Sequence, residues 1–187
     1  TVDRLEVNSG GTFTGGASLV ATDLLWSGGT ITTTNLGATL TTNNPVTLSG
    51  ANAMTLDRSW TATGGFNLTS TSTLAINALK TLTVNSASVV NVGAGNTATI
   101  NGNIDITKNL LNYVGVSIGG VGDIILNGKF TNSSTAGGYG NFVKVGADKL
   151  TINSVSTRYG PNDVINAGTV DLGTTGTLTA TDMLYPP

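Results

Sequence analysis

Residues 72–106 read STLAINALKTLTVNSASVVNVGAGNTATINGNIDI, and this stretch decides the fold. Leu74/Ile76, Leu82/Val84, Val90/Val92 and Ala98/Ile100 are apolar pairs, each flanking one small or polar residue. Such alternation with period 2 marks strands that bury one face. The first members of the pairs step by 8, 8 and 8 residues, and Ile104/Ile106 follows after 6. A strand of about five residues and a turn of about three fills each step. Strands this short do not easily make a meander of hairpins, and the hairpin dipeptide Asn-Gly occurs only at 101–102 and 127–128. They fit a chain that winds round an axis, each strand pairing with its counterpart one turn later. Three steps give coils of roughly 20–24 residues, and the chain holds about seven or eight of them. The expectation is an all-β, right-handed parallel β-helix, or β-solenoid, forming a single domain over residues 1–187.

The same rhythm extends outward. Val46/Leu48 and Met54/Leu56 lie upstream, and Val170/Leu172 and Leu178 near the end. Inward Leu, Ile and Val supply a thin core, outward Thr suits a pleated exposed face, and Gly supplies the corners. Asn85, Asn91, Asn96 and Asn101 stand beside corners, where side-chain amides can form ladders from coil to coil. Residues 107–142 are less regular, and Asn132–Gly138 reads as a protruding loop.

Composition agrees. Thr, Asn, Ser and Gly make up 93 of 187 residues, whereas Gln is absent and Glu occurs once, as Glu6. Long helices are excluded by that choice of residues. An apolar share of 39% argues against a solvated coil. A net charge of −2, with 8 basic residues scattered singly, leaves no electrostatic footprint for nucleic acid. No run approaches the length of a membrane-spanning helix. Cys and His are both absent, which removes disulfides, thiolate nucleophiles and the commonest general base and metal ligand. The chain opens on Thr1 with no charged and apolar leader, as a processed product or an excised piece would.

Two stretches resemble known bacterial repeats. Residues 142–173, FVKVGADKLTINSVSTRYGPNDVINAGTVDLG, resemble the autotransporter-associated passenger β-repeat. Lys144, Gly146, Leu150-Thr151-Ile152, Tyr159-Gly160, Val164, Gly168-Thr169-Val170 and Leu172 fill its pattern, and Asp148 stands where the family usually has Gly. Residues 24–60, LLWSGGTITTTNLGATLTTNNPVTLSGANAMTLDRSW, are similar to the repeats of large exported adhesin-like proteins. The resemblance implies a parallel β-helix and export to the cell surface, and it implies no chemistry. No membrane-barrel translocator follows Pro187, so a whole autotransporter is not expected.

Catalytic and binding signals are weak. β-Helix enzymes cleave polysaccharides with clustered carboxylates, but none of the ten acids here lies next to or two positions from another. Asp148 and Asp171, 23 apart, come within one coil of each other, and corner positions are expected for both. Gly119-Gly120-Val121-Gly122-Asp123 is one residue short of a calcium nonapeptide repeat and has no second copy. Sequons at Asn67 and Asn132 are read as chance matches in an Asn- and Thr-rich chain. Thr-x-Thr recurs at Thr12/Thr14, Thr30/Thr32, Thr39/Thr41, Thr61/Thr63, Thr71/Thr73, Thr81/Thr83, Thr97/Thr99 and Thr177/Thr179. Its uneven spacing does not keep one pair per coil, as a flat ice-binding face would need. Trp26 and Trp60 are expected to plug the core, and Lys80, Lys108, Lys129, Lys144 and Lys149 to be solvated.

The expectation is a non-enzymatic, extracellular, structural or adhesive solenoid, with no catalytic residues, cofactor or metal. Its partners are head-to-tail copies of itself, or neighbouring repeats of a longer chain, and surface glycans. Strand-like ends at Thr1–Val7 and Gly176–Thr181, without capping helices, favour stacking into a filament. The alternative is a carbohydrate-active β-helix enzyme or a glycan-binding module.

Overall fold

The computed structural model describes residues 1–85, 89–107, 116–132, 142–159, 164–165, 169–173 and 177–181. Among these are 23 strands and no helix. The winding begins with β1 (Val2–Val7), β2 (Thr12–Phe13), β3 (Leu19–Trp26) and β4 (Gly29–Thr32). Six coils of three strands follow. The first three are β5–β7 (Thr39–Thr42, Val46–Leu48, Met54–Asp57), β8–β10 (Ser59–Ala62, Phe66–Leu68, Ser72–Ile76) and β11–β13 (Thr81–Asn85, Val89–Val92, Thr97–Asn101). Next come β14–β16 (Asn103–Thr107, Val116–Gly120, Asp123–Leu126) and β17–β19 (Phe130–Asn132, Phe142–Gly146, Lys149–Ile152). The sixth is β20–β22 (Val155–Tyr159, Val164–Ile165, Thr169–Asp171), after which β23 (Thr177–Thr181) opens another.

Each strand pairs with its counterpart in the neighbouring coil, and every pair is parallel, from β1 with β3 to β20 with β23. Face 1 runs β3-β5-β8-β11-β14-β17, face 2 runs β3-β6-β9-β12-β15-β18-β21, and face 3 runs β2-β4-β7-β10-β13-β16-β19-β22. β3 belongs to two faces, because Leu19–Ala21 pairs with β5 whereas Leu25 and Trp26 pair with β6. The molecule is therefore a parallel β-solenoid.

Alternation explains which side chains go in. On face 1 Leu40, Trp60, Leu82 and Ile104 stack in register, and all are buried. On face 3 the column is Met54, Leu74, Ile100, Leu126 and Ile152. On face 2 it runs Val46, Phe66, Val90, Ile118 and then Lys144. Trp26 and Trp60 do plug the core, edge to face at 6.5 Å, with Phe66 6.0 Å beyond Trp60. Their indole N–H groups are satisfied inside, Trp26 by the Gly28 carbonyl and Trp60 by Thr42 Oγ1, both at 3.0 Å.

Coil length is less uniform than a step of eight suggests. Leu74 lies over Ile100, 26 residues on, because the chain returns to face 3 two residues further along the strand. The next two steps on that face are again 26, whereas Met54 to Leu74 is 20. Corners absorb the difference. Asp57, Arg58 and Ser59 turn with one residue between strands, and Asn77–Lys80 uses four. Both Asn-Gly steps are corners between faces 3 and 1, not hairpins. A Cβ at Gly128 would overlap the Gly102 carbonyl one coil below, so only glycine lets these corners nest.

Candidate functional site: inter-coil ties and a groove on face 1

The corners between faces 3 and 1 stack along one edge of the solenoid, and long cationic side chains fill the gaps where a short corner meets longer ones. Arg58 occupies the short corner and is fully buried. Its Nη2 donates to the carbonyls of Gly15 (2.7 Å) and Ala17 (2.8 Å) and contacts Thr33 Oγ1 at 3.4 Å. The guanidinium also lies 5.6 Å from the Phe13 ring centroid. One side chain thus holds the turns of two preceding coils. Burial lowers its pKa from the usual value by loss of solvation, and Nε and Nη1 find no partner among the described residues. Lys80 acts similarly: it is buried, and its Nζ donates to the Leu36 carbonyl at 3.3 Å.

Further along, amides replace cations. Asn127 Nδ2 donates to Asn101 Oδ1 at 2.7 Å, and Asn153 Nδ2 donates to Asn127 Oδ1 at 2.8 Å. This is the coil-to-coil amide ladder expected at Asn101, continued on a 26-residue step. Asn96 ties coils differently, donating to the Thr69 carbonyl at 3.3 Å, and Asn91 lies in register with Asn67. Asp123 Oδ1 accepts the Lys149 amide of the next coil at 3.0 Å.

A buried ion pair lies on face 2. Lys144 Nζ meets Asp148 Oδ1 at 2.7 Å with both side chains fully shielded, and it also donates to the Gly146 carbonyl at 3.2 Å. The expectation that Lys80 and Lys144 are solvated is overturned. Lys80 is drawn in by an unfilled carbonyl, and Lys144 by its place in the Ile118 column with a carboxylate four residues on. Lys129 and Lys149 are exposed, and Lys108 lies outside the described residues. Asp148 and Asp171 do not stack. Asp171 aligns with Thr151 and faces Lys149 Nζ at 3.7 Å, near the surface.

The other sequence signals scatter. In the glycine-rich segment, Gly119 and Gly120 end β15, and the Asp123 carboxylate is engaged with the next coil. Among the described residues no three acids lie together as a metal site. Asn67 sits within strand β9, Asn132 ends β17, and residues 133–138 lie outside the described residues. The Thr-x-Thr pairs divide between faces: Thr30/Thr32 and Thr97/Thr99 lie on face 3, and Thr39/Thr41 and Thr81/Thr83 on face 1.

Face 1 carries an outward polar column and a groove beside it. Thr41, Thr61, Thr83, Asp105 and Thr131 form one outward column, a residue per coil. Beside it Thr39 pairs with Ser59, and Thr81 with Asn103. Ser59 fills a coil that a search for Thr-x-Thr skips, so the column was not visible as a repeat. Thr81, Thr83, Asn103, Asp105, Lys129 and Thr131 line a groove of about 400 Å³ across three coils. Asp105 is 7% exposed and accepts from Thr131 Oγ1 at 2.8 Å. Asn103 Oδ1 accepts the Lys129 amide at 3.3 Å.

Comparison with known proteins gives no match: no family model, curated protein or solved structure matches the chain.

Proposed function

We propose that the chain is a non-catalytic, extracellular β-solenoid with a structural and adhesive role, built to continue end to end onto further β-solenoid. The single observation that carries this reading is where its polar chemistry is spent. Asn101, Asn127, Asn153 and Asp123 each bond a neighbouring coil, and Arg58 and Lys80 bond the coil beyond it. Side chains that an enzyme would direct at a substrate here bind coil to coil, as a rod under load requires. The low charge and the absence of Cys suit a surface-exposed repeat protein.

The first coil supports the second half of the reading. Among the described residues β1 pairs only with β3, so its other edge offers free N–H and C=O groups. Val2 is exposed, and Leu5 and Phe13 are only partly buried where they pack against the core. A second copy, or a preceding coil, would complete both the ladder and the core. A head-to-tail contact of this kind propagates when its rotation does not close. Light scattering and negative-stain imaging of the purified chain test it. Concentration-dependent rods, abolished by Leu5→Asp, are expected, and a monomer at every concentration would overturn the stacking reading.

A further inference from the structure

We infer that the groove on face 1 around Asp105 is a binding site for a glycan chain, read through its hydroxyl groups. This deepens the adhesive part of the reading above and rests on it for the setting in which glycans are met. Three observations converge. First, the groove crosses β11, β14 and β17, and strands lie about 4.8 Å apart, so its floor is about 10 Å long, room for a short oligosaccharide. Second, its lining is polar and mixed: hydroxyls from Thr81, Thr83 and Thr131, an amide from Asn103, a carboxylate and an ammonium. Third, the charges in it are not used up. Asp105 accepts from Thr131 at Oδ1, no described residue donates to its Oδ2, and Lys129 forms no ion pair with any described residue. Asp105 lines the groove, so a ligand lying there can donate to the carboxylate oxygen that Thr131 leaves free.

Other ligand classes fit less well. An extended peptide needs an open strand edge, and β11 and β14 are paired on both sides. Phosphate or sulfate would meet the Asp105 carboxylate. A divalent cation needs more oxygens than one carboxylate provides, and would face Lys129. An apolar ligand finds a floor of hydroxyls. A sugar supplies what is missing: vicinal hydroxyls that donate to a carboxylate, and oxygens that accept from an ammonium and from Thr hydroxyls. Asp105 aligns with Thr83 and Thr131, so no second carboxylate stacks on it and the site binds without cleaving.

The test is titration of the full chain with neutral and uronate-containing oligosaccharides of three to six sugars. Binding of at least one neutral glycan is expected. Asp105→Asn should weaken it about tenfold, the effect of removing a charged acceptor. Lys129→Ala, at an exposed position, should weaken it severalfold, and Thr99→Val on face 3 should leave it unchanged. Circular dichroism checks folding, and if Asp105→Asn does not fold, Lys129→Ala and Thr83→Val decide. No binding, binding confined to uronates, or binding indifferent to the face 1 substitutions would overturn the inference. None of these variants touches β1, so end-to-end association stands or falls separately.

Discussion

Lys80 Nζ donates to the carbonyl of Leu36, 44 positions earlier in sequence. The two residues stand at equivalent corners two coils apart, and the corner between them is the short one at Arg58. A gap left by one tight turn is thus closed by two side chains, Arg58 bonding the earlier coils and Lys80 reaching back across it.

Removing Arg58 exposes that dependence. Arg58→Ala leaves the Gly15 and Ala17 carbonyls without their buried donor and deletes the side chain that fills the corner. A loss of about 2–4 kcal/mol in unfolding free energy is expected. Arg58→Lys should recover part of it, because the ammonium keeps a donor at the corner but loses the flat guanidinium beside the Phe13 ring. Urea unfolding with an unchanged m-value measures both.

The Lys144–Asp148 pair behaves differently. Lys144→Met alone strands a buried carboxylate, whose Oδ2 already lacks a partner among the described residues, and should destabilise by about 3–5 kcal/mol. The double substitution Lys144→Met with Asp148→Leu should recover most of that loss, since a well-packed apolar pair replaces a buried ion pair at little penalty. A double-mutant cycle in urea gives the coupling. Equal losses in the single and double variants would show that the pair does not act as a unit.

The amide ladder is exposed, so its links are weaker. Asn127 both donates and accepts, and Asn127→Ala should lower stability by about 1 kcal/mol, more than Asn101→Ala at the end of the ladder. Thermal melts of the two variants side by side give the order.

Gly128→Ala tests the nesting of corners. The added methyl meets the backbone of Gly102, which cannot swing aside as a side chain would. A loss of about 2–3 kcal/mol is expected, against a near-neutral result for Gly15→Ala, where a Cβ meets nothing and φ is not positive.

Much of the architecture was legible in residues 72–106. Leu74, Leu82, Val90 and Ile100 point inward as the alternation requires, and successive pairs are successive sides of one coil. Coil length was less legible, because corners of one to several residues vary it from coil to coil while leaving the strand pattern intact. The same variation hid the face 1 column, in which Thr41, Thr61, Thr83 and Asp105 follow at steps of 20, 22 and 22. Buried cations were missed because a lysine or arginine in isolation reads as solvated. The usable signals were Asp148 four residues after Lys144, and Asn recurring every 26 residues at 101, 127 and 153. Arg58 offered none, since its partners are backbone carbonyls more than 40 residues away.

The central claim, that the solenoid is completed by like structure at its first coil, is tested most directly by hydrogen exchange of the β1 amides. In a parallel ladder alternate amides of Val2–Val7 point toward β3 and the rest point away from it. The account predicts that the outward set exchanges quickly in dilute protein and becomes protected as concentration rises, while the inward set is protected throughout. Outward amides that stay unprotected at every concentration would contradict it.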